Sequence, residues 1–259
     1  MKSQKQTEAL QPADVLSEPP FRYFAHCIGA VDGTHVPFRP RKPPELDSQT
    51  PYDPQLWCNR KGYYSQNVLI ACDFDLNILF VQAGYQGSGN NNAVLDKAMR
   101  NGFTVPNGRF YLADGGYSKK NTTLLVPYQR TRYHLREHQS AQRRPETPQE
   151  LYNLRHSVLR NCVERVIGIQ KGRWRILQDG PGTGVSSDNQ CRIIYALTAV
   201  HNFIKENGQS VEEDEQSLPK YPRSDRDVDD HNIDGAVHPS SDEMTGYRDQ
   251  LTRAMWDNR

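Results

Sequence analysis

Residues 28–39 decide the fold of this chain, and they read I-G-A-V-D-G-T-H-V-P-F-R. The stretch begins as an apolar run, carries one carboxylate at Asp32, and then alternates, a pattern that predicts a buried strand over Ala25 to Phe38. A charge inside a strand is costly unless it is paired or coordinates a metal. Gly33 beside it lets a large group approach the backbone. Asp32 is therefore either a metal ligand or a strand-end aspartate held by backbone N–H groups or an arginine.

Further strands and helices follow from apolar periodicity and from capping signals along the chain. The fourth strand ends on a second carboxylate, Asp114, and Thr147 caps the long helix that carries Glu164. This order of elements predicts an α/β domain in which helices flank a mixed sheet. We expect strands at 25–38, 64–74, 78–84 and 109–114, and helices at 93–100, from 148 past 171, and at 189–205.

The 259 residues are enough for one substantial domain, but hydrophobic residues make up only 36% and the mean hydropathy is −0.82. We therefore expect a domain at 21–207 between a flexible tail at 1–20 and an acidic, disordered tail at 208–259. No apolar stretch is long enough for a membrane span, and no signal-peptide core is present. The five cysteines lack a C-x-x-C pair, which indicates reduced thiols in an intracellular protein.

A net charge of +1 conceals two oppositely charged parts of the chain. Residues 1–207 contain 26 Lys and Arg against 18 Asp and Glu, whereas residues 208–259 contain 6 against 13. A basic body indicates a polyanionic partner, with nucleic acid as the first candidate, although a solvated mixed-charge surface is the alternative. The candidate phosphate contacts are His35, Arg60, Lys61, Arg130, Arg132, Lys171 and Arg173. For His35 the alternative is a structural role, in which its ring forms a hydrogen bond within the protein.

Several motifs together resemble the catalytic domain of PIF/Harbinger-type transposases, which are DDE superfamily endonucleases with an RNase H-like fold. The motifs are A-V-D-G-T-H-V (30–36), N-R-K-G-Y-Y-S-Q-N-V (59–68), Y-L-A-D-G-G-Y (111–117), L-R-N-C-V-E-R-V-I-G-I-Q-K-G-R-W (159–174) and H-N-F (201–203). The resemblance covers about residues 24–206. It implies a sheet of three antiparallel strands joined by further parallel strands, and an N-terminally truncated copy of the transposase.

The resemblance also implies that Asp32, Asp114 and Glu164 are catalytic acids that bind two Mg²⁺ or Mn²⁺ ions for DNA cleavage and strand transfer. It implies a nuclear protein and, by analogy alone, a Myb/SANT-like partner that supplies further DNA binding. Taken by itself, Glu164 is instead an exposed helix residue that pairs with Arg160 one turn earlier.

One position departs from the family pattern. Asn91 lies where the family places a further metal-binding aspartate, and an Asn side chain offers an oxygen ligand without its negative charge. We therefore expect weakened metal binding and impaired cleavage unless Asp96 or Asp73 compensates. Whether the chain is an enzyme stays open, with a metal-dependent nuclease favoured. The alternatives are a decayed or domesticated transposase that serves as a non-catalytic DNA- or protein-binding module, and an RNase H-like nuclease acting on RNA or on an RNA–DNA hybrid.

Overall fold

The computed structural model describes residues 14–41, 52–117, 123–131, 145–182, 184–207 and 241–259. Five strands form one sheet, and α-helices flank it. The strands are β1 Cys27–Pro37, β2 Ser65–Cys72, β3 Ile78–Gln86, β4 Phe110–Ala113 and β5 Leu124–Leu125. The α-helices are α1 Asp14–Ser17, α2 Asn91–Arg100, α3 Pro148–Arg173, α4 Ile176–Asp179, α5 Ser187–Glu206 and α6 Ser241–Asp257.

The strand order across the sheet is β3-β2-β1-β4-β5. β1, β2 and β3 are antiparallel to their neighbours in this group, as the two apolar runs separated by a short turn predict. β4 and β5 extend the sheet in the parallel sense from β1. This arrangement confirms the predicted α/β class and the RNase H-like sheet of three antiparallel strands and further parallel strands.

The central strand β1 is buried on both faces of the sheet because helices cover both. Ala30 belongs to the core cluster formed with α3 and α6, and Val31 belongs to the cluster formed with α2. Successive strand residues point to opposite faces, so a continuous apolar run suits this position. At Gly29 a Cβ atom would lie 1.9 Å from the Cys72 carbonyl oxygen, so the close approach of β1 and β2 requires a glycine there.

The helix starts follow the capping signals in the sequence. Thr147 accepts a hydrogen bond from the Glu150 N–H at 3.2 Å, and α3 begins at Pro148. α2 starts at Asn91, where Asn90 caps it by accepting from the Ala93 N–H at 2.9 Å. No helix in the part of the chain described above is long and apolar enough to cross a membrane.

The structure corrects the predicted tails. The flexible tail at 1–20 is wrong for residues 14–20, because α1 buries Leu16 in the main core. The disordered tail at 208–259 is wrong for residues 241–257, because α6 packs against α3 and buries Met244, Leu251 and Met255. These three residues lie on one helix face, and the polar residues between them hide that face from a composition-based prediction. Residues 208–240 lie outside the described residues.

Candidate active site

The pairing of β1 with β4 brings Asp32 and Asp114 next to each other in the middle of the sheet. The two strands are parallel, with Val31 opposite Ala113, and one aspartate follows each of these residues. Each carboxylate accepts a hydrogen bond from the next backbone N–H, at 2.7 Å from Gly33 and at 2.6 Å from Gly115. The sheet therefore places Asp32 within β1 next to Asp114, which directly follows β4.

Asp32 lies in an environment that opposes its ionisation. Burial raises the pKa of Asp32 above its ordinary value, and the nearby Asp114 carboxylate raises it further. The Arg160 guanidinium and the Gly33 N–H act in the opposite direction. A cation bound beside Asp32 would favour the ionised form of this buried carboxyl group.

Arg160 on α3 supplies positive charge to these acids. It is buried, and its Nη1 donates to Asp32 Oδ2 at 2.9 Å while its Nη2 donates to Glu164 Oε1. Glu164 is 52% exposed and is linked to Asp32 through this guanidinium. The contact with Asp32 spans 128 residues of sequence. Together with the Gly33 N–H it gives Asp32 the partners named in the alternative interpretation, backbone N–H groups or an arginine, although the sequence did not indicate which arginine.

Asn91 lies beside the backbone of β1, next to Asp32. A Cβ atom on Gly33 would lie 2.7 Å from Asn91 Oδ1, so this glycine makes room for the Asn91 side chain. Asn67 on β2 holds the same group, because its Nδ2 donates to Asn91 Oδ1 at 3.3 Å and to the Gly89 carbonyl oxygen at 3.1 Å. Asn67 is a further residue that sequence reasoning missed, and its own Oδ1 is buried without a hydrogen-bond partner.

Asp73 and Asp96, the two acids that could compensate for the missing carboxylate at Asn91, have different surroundings from Asn91. Asp73 accepts hydrogen bonds from the backbone N–H and the side-chain amide of Asn77, both at 2.8 Å, and so closes the β2–β3 turn. Asp96 is exposed on α2, more than one turn beyond Asn91. The contacts at Asp73 bind it to the hairpin rather than to Asp32.

The donor chemistry of the site fits a hard divalent cation in part. Asp32, Asp114 and Asn91 offer the carboxylate and amide oxygens that Mg²⁺ and Mn²⁺ prefer. Arg160 already acts as a cation between Asp32 and Glu164, so one carboxylate oxygen of each acid is taken up by the guanidinium. Within the described residues, no three His, Cys, Asp or Glu side chains come close enough together to hold a metal ion.

A basic cluster lies along β1 beyond Asp32, and it consists of His35, Arg60, Lys61 and Lys171. Lys171 Nζ donates to Thr34 Oγ1 at 2.8 Å and to the His35 carbonyl oxygen at 3.0 Å. Burial lowers the pKa of His35, and the charges of Lys171, Lys61 and Arg60 lower it further. Burial and the charge of Lys61 also lower the pKa of Lys171. The structure thus brings together four of the seven candidate phosphate contacts.

The other three candidates lie away from this cluster or outside the described residues. Burial lowers the pKa of His201 on α5, and the charge of Arg173 lowers it further. Arg130 is exposed in a turn and has a φ of 58°. Arg132 lies outside the described residues.

Comparison with known proteins gives consistent matches. The profile of a family described as DDE superfamily endonuclease matches residues 31–202. The candidate nuclease HARBI1 is 29% identical over 189 residues in Rattus norvegicus and 27% identical in Homo sapiens, covering 71% of this chain and 47% of each relative. Protein ALP1-like of Arabidopsis thaliana is 26% identical over 77% of this chain and 46% of its own length. The chain spans about half the length of the curated relatives it matches. No solved structure matches it significantly.

Proposed function

Because the chain belongs to the DDE superfamily endonucleases, we propose that it cleaves DNA phosphodiester bonds with a divalent metal held by Asp32 and Asp114. The observation that carries the proposal is the parallel pairing of β1 and β4, which brings both carboxylates next to each other on neighbouring strands. The basic cluster supports DNA as the substrate, because contacts to backbone phosphates supply most of the affinity for nonspecific DNA.

The residues have separate roles in this proposal. Asp32 and Asp114 hold Mg²⁺ or Mn²⁺, with the side-chain oxygen of Asn91 as a further ligand, and the Gly33 and Gly115 N–H groups orient the two carboxylates. When bound, the metal supplies charge neutralisation at the attacking and leaving oxygens. The basic cluster holds the phosphate backbone next to the carboxylates. A nuclear location and a Myb/SANT-like partner stay predictions of the resemblance.

In this proposal Glu164 binds the metal after it separates from Arg160, because the two side chains form an ion pair. We expect it to join the site when Arg160 turns toward another anion, such as a phosphate. Cleavage by this chain should be slow, since Asn91 provides an oxygen ligand without the charge that an aspartate would add. Strand transfer needs the same acids and is expected to be limited in the same way.

The test of the proposal is the nicking of supercoiled plasmid DNA in Mn²⁺. Wild type should convert plasmid to open circles, and Asp114→Asn should reduce the rate by at least about 100-fold, because it removes a metal ligand. Arg192→Gln, an exposed change on α5, serves as the matched purification control. Equal nicking by wild type and Asp114→Asn would show that the cleavage does not come from this site.

A second function, a DNA-binding module without catalysis, is favoured by one observation. Arg160 already pairs with both Asp32 and Glu164, so the fold itself supplies a cation to these two acids. A thermal melt with increasing Mn²⁺ separates the two functions. A rising melting temperature supports the nuclease, since a ligand that binds the native state stabilises it. DNA binding with an unchanged melting temperature supports the binding module.

A further inference from the structure

A buried chain of hydrogen bonds ends on the imidazole of His35. Asn59 Nδ2 donates to Ser65 Oγ at 2.9 Å, and Ser65 Oγ lies 2.9 Å from His35 Nδ1. Ser65 is fully buried, and Asn59 is 6% exposed. The chain joins the loop after Cys58, strand β2 and strand β1, and the two acids of the candidate active site take no part in it.

The partners of Ser65 assign a tautomer to His35. Ser65 Oγ accepts from Asn59, and because His35 Nδ1 is the one acceptor recorded within reach of the Ser65 hydroxyl proton among the described residues, we assign that proton to the Ser65–His35 hydrogen bond. A neutral imidazole that accepts at Nδ1 carries its proton on Nε2. Burial and the charges of Lys171, Lys61 and Arg60 lower the pKa of His35, so the neutral form is the one present at neutral pH. His35 therefore offers one N–H donor, at Nε2, among three cations.

The same asparagine also shapes the loop that carries two of those cations. Asn59 Oδ1 accepts from the Lys61 N–H at 2.9 Å and from the Tyr63 N–H at 3.4 Å. The backbone of Asn59 closes the loop further, with bonds to Tyr63 at 3.0 Å and to Gly62 at 2.9 Å. One buried side chain thus fixes the loop bearing Arg60 and Lys61 and, through Ser65, the ring of His35.

We infer that His35 Nε2–H and the ammonium groups of Lys61 and Lys171 form a subsite for one backbone phosphate of DNA, with Asn59 and Ser65 as positioning residues. Lys171 Nζ gives two of its three protons to Thr34 and to the His35 carbonyl, which leaves one for an oxygen of the phosphate. A neutral donor between two cations matches a phosphodiester, which has a single negative charge and several acceptor oxygens. The inference rests on the proposed function, because it assumes a DNA ligand.

The salt dependence of DNA binding distinguishes the contribution of His35 from that of the lysines. Each cation that neutralises a phosphate releases a counterion, so Lys61→Gln should lower the salt slope of DNA binding by about one. His35→Phe should weaken binding roughly tenfold without changing the salt slope, because a neutral donor releases no counterion. His35→Gln should retain most of the affinity, since its amide N–H lies close to where Nε2–H lies.

The experiment measures binding of a short DNA duplex in EDTA, where cleavage cannot interfere, and records the ¹⁵N resonances of His35. We expect the Nε2–H tautomer in wild type, and mixed tautomers with roughly fivefold weaker binding in Ser65→Ala. Thr198→Val removes another buried hydroxyl, on α5, and should leave both unchanged.

Two results would overturn the inference while the proposed function stands. One is a wild type that binds DNA no more tightly than His35→Phe does, and the other is a His35 proton on Nδ1 in wild type. A wild type that binds no DNA would remove the proposed function as well. If Ser65→Ala fails to fold, the comparison of His35→Phe with His35→Gln still decides the matter, because both change a half-buried ring.

Discussion

Arg160 supplies the positive charge that pairs with two acids of the candidate site, Asp32 and Glu164. Its side chain is 8% exposed, and its guanidinium contacts both Asp32 and Glu164. Removing one partner of a buried ion pair costs about 3–5 kcal/mol, because the other charge stays buried without compensation. We expect Arg160→Gln to lower the free energy of unfolding by about 3 kcal/mol in urea, and Mn²⁺ to restore part of the loss.

The control for this change is Arg192→Gln. Arg192 pairs with Asp188 at 2.7 Å, with side chains 73% and 69% exposed. Exposed pairs of this kind contribute less than about 1 kcal/mol. We expect Arg192→Gln to leave stability nearly unchanged and to add no response to Mn²⁺. If Arg160→Gln unfolds at the same urea concentration as Arg192→Gln, the buried charge balance described for Asp32 is wrong.

Asn91 is the residue at which the chain departs from its family. Asn91→Asp adds a carboxylate beside Gly33, where Asn67 Nδ2 can donate to it as it now donates to the amide oxygen. A further negative charge near two carboxylates strengthens the binding of a dication, so plasmid nicking in Mn²⁺ should rise at least about tenfold.

The neighbouring Asn90 gives the matched control. Asn90→Asp adds the same charge but keeps its side chain on the Ala93 N–H, where Asp caps a helix as well as Asn does. Its nicking rate should stay close to that of wild type. Equal rates for Asn91→Asp and wild type would mean that Asn91 does not limit the site.

At the scale of elements, α3 is tied to β5 through a buried histidine. His156 Nε2 lies 3.0 Å from the Leu125 carbonyl oxygen, and burial lowers the pKa of His156 to about 3. The unfolded chain therefore binds a proton that the folded chain does not, and stability is lost as pH falls below about 6.5. The expected contribution is about 1.4 kcal/mol per pH unit between pH 6 and pH 4.

Urea unfolding of wild type and His156→Gln across this pH range measures the contribution. The glutamine amide can still donate to Leu125 but does not titrate, so the difference in stability between the two proteins should shrink as pH falls. A constant difference would show that His156 is not the group that couples this helix to pH.

The last helix, α6, belongs to the core, and its removal should therefore matter. Met255 is fully buried, and truncating a buried Met to Ala costs about 2–5 kcal/mol. We expect Met255→Ala to lower the free energy of unfolding by this amount. The control is Met99→Ala on α2, where the side chain is 41% exposed. This change should alter the free energy of unfolding by less than about 0.5 kcal/mol. Equal effects would mean that α6 is not packed as described.

Local signals in the sequence predicted the elements well where one segment contains the whole signal. Thr147, Pro148 and Glu150 mark the start of α3 within four residues, and the alternating residues after Asp32 mark β1. The link between Arg160 and Asp32 and the packing of α6 depend on contacts between distant segments, which periodicity does not record. The sequence therefore offered the acids, and an arginine as one possible partner of Asp32, whereas it did not identify that arginine as Arg160 and did not predict the final helix.

At the scale of the whole molecule, the sheet organises both the acids and the basic cluster. The central strand β1 contributes Asp32 to the acids and His35, three residues later, to the basic cluster. The parallel neighbour β4 adds Asp114, and the antiparallel neighbour β2 adds Asn67 and Ser65. A substrate phosphate beside the carboxylates would thus contact groups from three adjacent strands, which gives the site a rigid support.

The proposed activity depends most on Asp32 and Asp114 forming one divalent-metal site together. Mn²⁺ binding to the EDTA-treated protein, measured by isothermal titration calorimetry, tests this claim without relying on cleavage. We predict that wild type binds Mn²⁺ and that Asp32→Asn and Asp114→Asn each weaken binding at least about tenfold. Binding of Mn²⁺ by both variants with the affinity of wild type would contradict the claim.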